Sequence, residues 1–265
     1  MLTGFVTSLF LLAGANQEPP RLNEVDLVDL SHTYDHSTIF WPTSPIGFEH
    51  KVLAFGPSGN GYFYSAYTFA MPEHGGTHLD APIHFSRDAK TVGELPLTDF
   101  YAPLAVIDVS EKATADRDYR LAPEDITAYE AKYGTLEPGT AVAVRTNWSR
   151  FWPDVEAYLG DDTPGDASNL SFPGFGVAAA KLLVERKVSM IGIDTASIDY
   201  GKSKDFAVHV IIAGSNIPAL ENLTNLAEVP ESGAWILAAP MKIGRGSGAP
   251  ARVVAFAPKQ APTPE

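Results

Sequence analysis

The chain has 265 residues, a formal charge of −13 and no cysteine. The charge, with no cluster of Lys or Arg, excludes nucleic-acid binding, which needs a concentrated basic surface. The absence of cysteine excludes disulfides, thiolate nucleophiles and thiolate ligands, so any metal must sit on nitrogen and oxygen.

Residues 1–20 stand apart. Phe5 to Leu12 is a short apolar run, followed by Ala13-Gly14-Ala15, the polar Asn16-Gln17-Glu18 and Pro19-Pro20. This is the pattern of a secretory signal with cleavage expected after Ala15, which implies a secreted or periplasmic protein. No Lys or Arg precedes Arg21, so the basic start of such a signal is missing, and the alternative is an N-terminal arm on a cytoplasmic protein. The run is too short to span a bilayer. Residues 21–265 read as one domain.

Val25 to Leu30 predicts the first strand. Phe40-Trp41-Pro42-Thr43-Ser44-Pro45 is an aromatic loop that its prolines keep from being helix. Gly56 to Gly61 predicts a turn, and the aromatic run Tyr62 to Met71 a strand leading to His74. Apolar strands are expected at Pro103–Val109, Thr140–Thr146, Val188–Asp194, Ala234–Ile243 and Ala251–Ala257. Pro123-Glu124-Asp125 opens a helix that Gly134 ends. Val177–Lys187 has apolar residues at helical spacing, and Asp205–Ile212 suits a short helix closed by Gly214. Strands outnumber helices, and two helices connect strands, so the expected fold class is α/β, a single domain with a mixed β-sheet.

The chemistry concentrates between Glu73 and His84. His74, His78 and His84 are three of the chain's seven histidines and share eleven residues with Asp80. A lone histidine usually satisfies an ordinary hydrogen bond; three beside an aspartate suit a divalent cation. His74 and His78 share a side in either helix or strand, but on a helix Asp80 would sit about 200° round from His78. An extended segment puts all three on one face, and Gly75-Gly76 and Pro82 also disfavour helix, so the expectation is an irregular or extended segment. His74, His78 and Asp80 are therefore the candidate metal ligands, leaving positions open for water or substrate. His84, beyond a proline, is the candidate general acid/base, with a further ligand as the alternative. Thr77 either orients a ligand or satisfies local backbone. Phe40, Trp41, Phe63, Phe85, Trp148 and Trp152 are candidates to wall an apolar pocket, Trp41 first among them. The glycines from Gly244 to Gly248 lack the Lys-Ser/Thr of a phosphate loop and read as a turn.

His74-Gly75-Gly76-Thr77-His78-Leu79-Asp80-Ala81-Pro82-Ile83-His84 closely resembles the signature of the cyclase-like metal-dependent hydrolases, which include bacterial kynurenine formamidases and isatin hydrolases. The resemblance extends to Leu30-Ser31-His32, Arg145-Thr146-Asn147-Trp148, Phe172-Pro173-Gly174-Phe175, Ile191 to Asp199, Glu221 to Leu226 and Gly246 to Arg252. It implies a swivelling β/β/α-type fold, homodimers or homotetramers, and a first metal site at His74, His78 and Asp80. In two-metal relatives Asp80 would bridge to a second ion on His209 and Glu221. Spacing alone reads His209 as a core or helix-face histidine and Glu221 as a surface carboxylate.

The expected cofactor is accordingly one or two Mn2+ or Zn2+ ions per subunit. The expected reaction is hydrolysis of the C–N bond of a small aromatic amide, such as N-formylkynurenine or isatin. Bound metal would activate water and polarise the carbonyl, and His84 would move the proton to the leaving nitrogen. A lactonase or dehydratase/cyclase on the same scaffold, or a non-catalytic metal or small-molecule binder, are the alternatives. His-Glu-x-x-His is absent, which argues against a zinc protease.

Overall fold

The computed structural model describes residues 18–259, so the signal-like run lies outside the described residues. The strands are β1 (Val25–Asp29), β2 (Glu49–Pro57), β3 (Phe63–Ala70), β4 (His78–Asp80), β5 (Tyr101–Asp108), β6 (Arg120–Leu121), β7 (Ala141–Arg145), β8 (Gly174–Phe175), β9 (Met190–Ile193), β10 (Ala219–Glu221), β11 (Ala234–Pro240) and β12 (Gly248–Pro258). The helices are α1 (Ser110–Ala115), α2 (Pro123–Tyr133), α3 (Val155–Leu159), α4 (Val177–Glu185) and α5 (Ala207–Gly214).

Seven strands close into a ring in the order β12-β11-β5-β7-β9-β10-β4, with β4 returning to pair with the start of β12. β1 adds along the other end of β12. The pairs β5/β7, β7/β9 and β9/β10 are parallel and the others in this sheet antiparallel, giving the mixed sheet expected.

The two-residue period of a strand sorts the core into two layers. On β5, Leu104 and Val106 join Leu79, Leu220, Ile236 and Val253 inside the ring. Ala105 and Ile107 face the other way, where α2, α4 and α5 cover them with Ile126, Leu183, Val208 and Ile212. Each such buried aliphatic side chain contributes about 1.5–3 kcal/mol relative to exposure. Strands buried on both faces are continuous apolar runs, which makes β5, β7 and β9 legible in sequence. A third cluster of Ile39, Trp148, Tyr158, Leu159, Leu170 and Phe172 packs the loops together.

The helix boundaries follow local chemistry. Pro123 starts α2, Asp125 accepts from the Ala122 N–H at 2.8 Å, and Gly134 ends the helix at φ 96°. α4 stops at Glu185, with Arg186 anchored to Glu130 at 2.7 Å. Two expectations need correction. α5 begins at Ala207, because Phe206 is left-handed at φ 48°, and it includes Gly214; the chain reverses after it, with Asn216 at φ 56°. The turn at Gly56–Gly61 starts later, because β2 runs through Gly56 to Pro57.

β2 and β3 pair only with each other and form a ribbon with most of its side chains exposed. No helix among the described residues is long and apolar enough to cross a membrane.

Candidate metal centre

The site lies where β4 meets β10. Glu221 is opposite His78, Leu220 opposite Leu79 and Ala219 opposite Asp80. Leu79 and Leu220 belong to the core inside the ring. Alternation therefore turns His78, Asp80 and Glu221 to the face that α5 covers, as the extended reading of this segment requires. His209 lies on the buried face of α5, beside Val208, Ile212 and Ala213.

The paired glycines before β4 have separate reasons to be glycine. Gly75 has φ 149°, and a Cβ there would lie 2.1 Å from the Phe40 ring. Gly76 has φ 57°, and its Cβ would lie 2.5 Å from the Tyr34 ring. Only a residue without a side chain permits both backbone conformations and this close approach.

Asp80 is the hub. Its Oδ1 is 2.7 Å from His74 Nδ1 and 3.2 Å from His78 Nε2, while its Oδ2 is 3.2 Å from His209 Nε2. Glu221 completes the ring of donors, with Oε2 3.4 Å from His78 Nε2 and Oε1 3.2 Å from His209 Nε2. Ligand atoms of His74, His78 and Asp80 lie within 4.8 Å of one another, and so do those of Asp80, His84 and His209. The structure thus brings together all six polar residues expected at the site, including the two that spacing alone could not find.

These residues fit a divalent cation. The buried Nε2 of His78 has no hydrogen-bond partner although it faces two carboxylates. Burial opposes charge on His78, yet the adjacent Asp80 carboxylate, with Glu221 and the hydrogen-bonded Gly76 carbonyl, raises its pKa to about 9. Burial likewise opposes charge on His209, but hydrogen bonds to Asp199, Asp80 and Glu221 hold it well above its ordinary value. Asp80, despite burial, is held well below the usual carboxylate range by His209, His74 and His78. The carboxylates call for positive charge at this point, which a bound cation would supply in place of the imidazole protons. An all N/O donor set suits a divalent metal ion without thiolate ligands.

The nitrogens turned away from the hub are also held. His78 Nδ1 is 2.9 Å from the Gly76 carbonyl, and His209 Nδ1 is 2.7 Å from Asp199 Oδ2. Asp199 also accepts from the backbone N–H groups of Val208 and His209 at 3.2 and 3.0 Å, so one carboxylate anchors both the first turn of α5 and its histidine. Sequence reasoning gave Asp199 no role, because its partner is ten residues away across a loop. The Thr77 hydroxyl accepts from the His32 N–H at 2.8 Å and donates to the Asn222 carbonyl at 2.6 Å. Neither expected role of Thr77 is what the structure shows: its hydroxyl satisfies backbone, but of two distant segments rather than its own.

Above the donors is a cavity of about 260 Å³. Phe40, Trp41, Phe85 and Phe206 line it together with His74, His78, His84, His209 and Glu221. His84 stacks on His74 with ring centres 3.8 Å apart and meets the Phe85 ring edge-on at 4.5 Å. Burial pushes its pKa down to about 4, against the pull of Asp80 and with the push of the neighbouring imidazoles. Three expected wall residues lie elsewhere. Phe63 is on the β2–β3 ribbon, 62% exposed, outside this cavity. Trp148 is core, its indole N–H donating to the Tyr158 carbonyl at 2.8 Å. Trp152 stacks on His32 with ring centres 4.0 Å apart. Phe206, which reasoning from the sequence missed, takes a wall position from a left-handed backbone that a bulky residue rarely adopts.

Comparisons place the chain and its fold among known proteins. Residues 28–200 match the Cyclase family, described as "Putative cyclase". The chain is 33% identical to the isatin hydrolase of Roseibium aggregatum over 218 residues, 79% of this chain and 81% of that protein. It is 27% identical to the kynurenine formamidase of Salinibacter ruber over 86% of this chain and 96% of that one. A crystal structure of an isatin hydrolase bound to the product analogue thioisatinate is similar with a TM-score of 0.82 and 30% identity, covering 89% of this chain and 94% of that one. A single α/β domain with a ring-closed mixed sheet is the fold expected for such relatives, and the chain belongs to the cyclase family.

Proposed function

We propose that the protein is a metal-dependent hydrolase of non-peptide C–N bonds, acting on a small aromatic amide such as N-formylkynurenine or isatin. The observation that carries this reading is the convergence of His74, His78, Asp80, His209 and Glu221 beneath an aromatic-walled cavity. Isatin hydrolase and kynurenine formamidase relatives support the substrate class. His74, His78 and Asp80 would hold one Mn2+ or Zn2+ ion, and Asp80, His209 and Glu221 a second. When bound, the metal supplies Lewis acidity toward water and the substrate carbonyl.

The chain's own groups do the rest. Phe40, Trp41, Phe85 and Phe206 shed water and seat an aromatic ring over the donors. A ring nitrogen of His84 takes the proton from the attacking water and returns it to the leaving nitrogen. Stacking on His74 and the edge contact with Phe85 hold that ring toward the cavity. The competing role for His84 is ligation, which its grouping with Asp80 and His209 favours.

Purified protein should lose hydrolysis of N-formylkynurenine or isatin on chelation and regain it with Mn2+ or Zn2+. Turnover by a lactone instead, with both amides untouched, would replace the reading by a lactonase. His84→Ala should lower turnover roughly 10²–10⁴-fold with metal content unchanged; loss of a metal equivalent would make His84 a ligand.

We also propose a homodimer or homotetramer and export to the periplasm or medium. The β2–β3 ribbon supports the first: Val52, Leu53, Phe55, Phe63 and Phe69 are each more than half exposed, and clustered exposed apolar side chains mark interaction surfaces. Light scattering on the purified chain tests it. Sequencing the mature N-terminus tests cleavage after Ala15.

A further inference from the structure

The far side of the His74 ring meets a group that neither the spacing nor the proposed chemistry uses. His74 Nε2 is 2.9 Å from the Ser247 hydroxyl oxygen, 173 residues away in the chain. The same hydroxyl and its own backbone N–H both donate to Glu73 Oε2 at 2.8 Å, and the Gly248 N–H approaches that oxygen at 3.4 Å. A carboxylate only accepts, so the single hydroxyl proton of Ser247 is committed to Glu73. The hydroxyl oxygen must then accept from His74, which places a proton on Nε2. Nδ1, 2.7 Å from Asp80 Oδ1, donates to that carboxylate when no cation is present, and it is the nitrogen whose proton a cation beside Asp80 would replace.

We propose that Glu73 and Ser247 form a positioning relay that fixes the tautomer and plane of His74, so that this histidine offers Nδ1 to a divalent cation. His78 and His209 face the carboxylates through Nε2, so His74 ligates with the opposite nitrogen. This rests on the metal-centre reading above. The fit around the relay is close. A Cβ on Gly248 would lie 2.4 Å from His74 Cε1, and one on Gly246 would lie 3.1 Å from Glu73 Oε1. The Ser247 carbonyl in turn accepts from the Ala81 N–H at 2.9 Å, which ties the loop to the end of β4. The Gly246-Ser247-Gly248 stretch at the start of β12 is thus the wall against which His74 is held, and its small residues permit the imidazole to approach closely.

The test uses the full chain, histidine labelled with nitrogen-15, and Zn2+ alone as the probe. Nitrogen spectra of the zinc-loaded wild type should show His74, assigned by loss of its signals in His74→Gln, with a proton on Nε2 and zinc on Nδ1. Calorimetric titration should show Ser247→Ala binding zinc about 10–100-fold more weakly, the scale for removing the group behind a ligating imidazole. Ser247→Thr, which keeps the hydroxyl, should recover most of that affinity. Ser247→Ala leaves the backbone donors of Glu73 in place, and an unchanged melting curve identifies it as folded. Glu73→Gln, losing charge but not shape, should fall between the two. A proton on His74 Nδ1, or zinc affinity in Ser247→Ala within twofold of wild type, overturns the relay and leaves the metal centre standing. No zinc binding by the wild type overturns the metal reading itself.

Discussion

On one flank of Asp80, His74 and His78 come from the same short segment that carries the aspartate. On the other, His209 and Glu221 arrive from α5 and β10, more than 120 residues further along. The flanks also differ in what stands behind them. His74 keeps a quarter of its side chain exposed and leans on a neutral hydroxyl, and His78 leans on a backbone carbonyl. His209 is buried and backed by the carboxylate of Asp199, which also accepts from the start of its helix. A carboxylate behind an imidazole raises its basicity and fixes its tautomer more firmly than a neutral acceptor does. The local flank is therefore held by shape, through the glycines that let rings and backbone approach. The distant flank is held by charge.

Substitutions can break this contrast in order of severity. Asp80→Asn removes the carboxylate common to both flanks, so metal content and hydrolysis should both be lost; metal analysis beside a turnover assay reads this. Asp199→Asn should weaken metal binding about 10–100-fold on the charged flank, with a larger effect than Ser247→Ala has on the other. Equal effects, read by titration, would erase the distinction between the flanks. Trp41→Ala leaves both flanks intact and opens the wall above them, so KM should rise ~2–10-fold with kcat little changed. Steady-state kinetics on the preferred amide separate these.

The smallest effect concerns stability beneath the local flank. Burial holds the pKa of His32 down at about 4, where the ring stacks on Trp152 and the backbone N–H donates to Thr77. Because the folded pKa lies below the ordinary 6.5, folding favours neutral His32. Its contribution is present above pH 6.5 and is lost as the pH falls toward 4. Urea unfolding should show a decline over that window, and His32→Phe should flatten it. A decline of equal size in the variant would assign it to other groups.

Much of the local flank is legible in sequence because the information is local. The spacing of His74, His78 and Asp80 selects an irregular or extended segment; His78 and Asp80 lie on the strand β4, and His74 precedes it on the bent Gly75-Gly76 stretch. The apolar runs of β5, β7 and β9 are readable for a similar reason, since burial on both faces leaves no polar interruption. The three-residue strands β4 and β10 are too short for any periodicity to announce. Phe206 and Asp199 are invisible because a wall position depends on a left-handed backbone and a carboxylate's role depends on where a loop returns. Phe63 and Trp148 show the converse: an aromatic residue carries no mark of whether it will meet a cavity, a ribbon surface or the core.

The sequence by itself determined the cluster, its extended geometry, the exclusion of thiolate chemistry and, by resemblance, the family. Only the tertiary structure decided which distant groups complete the site. The closure of β4 against both β10 and β12 brings Glu221 to one side of the segment and the Ser247 turn to the other. The packing of α5 over that face then delivers His209 to Asp80. Those pairings are set by strand register and by helix burial on the sheet, long-range properties that no spacing within the segment records.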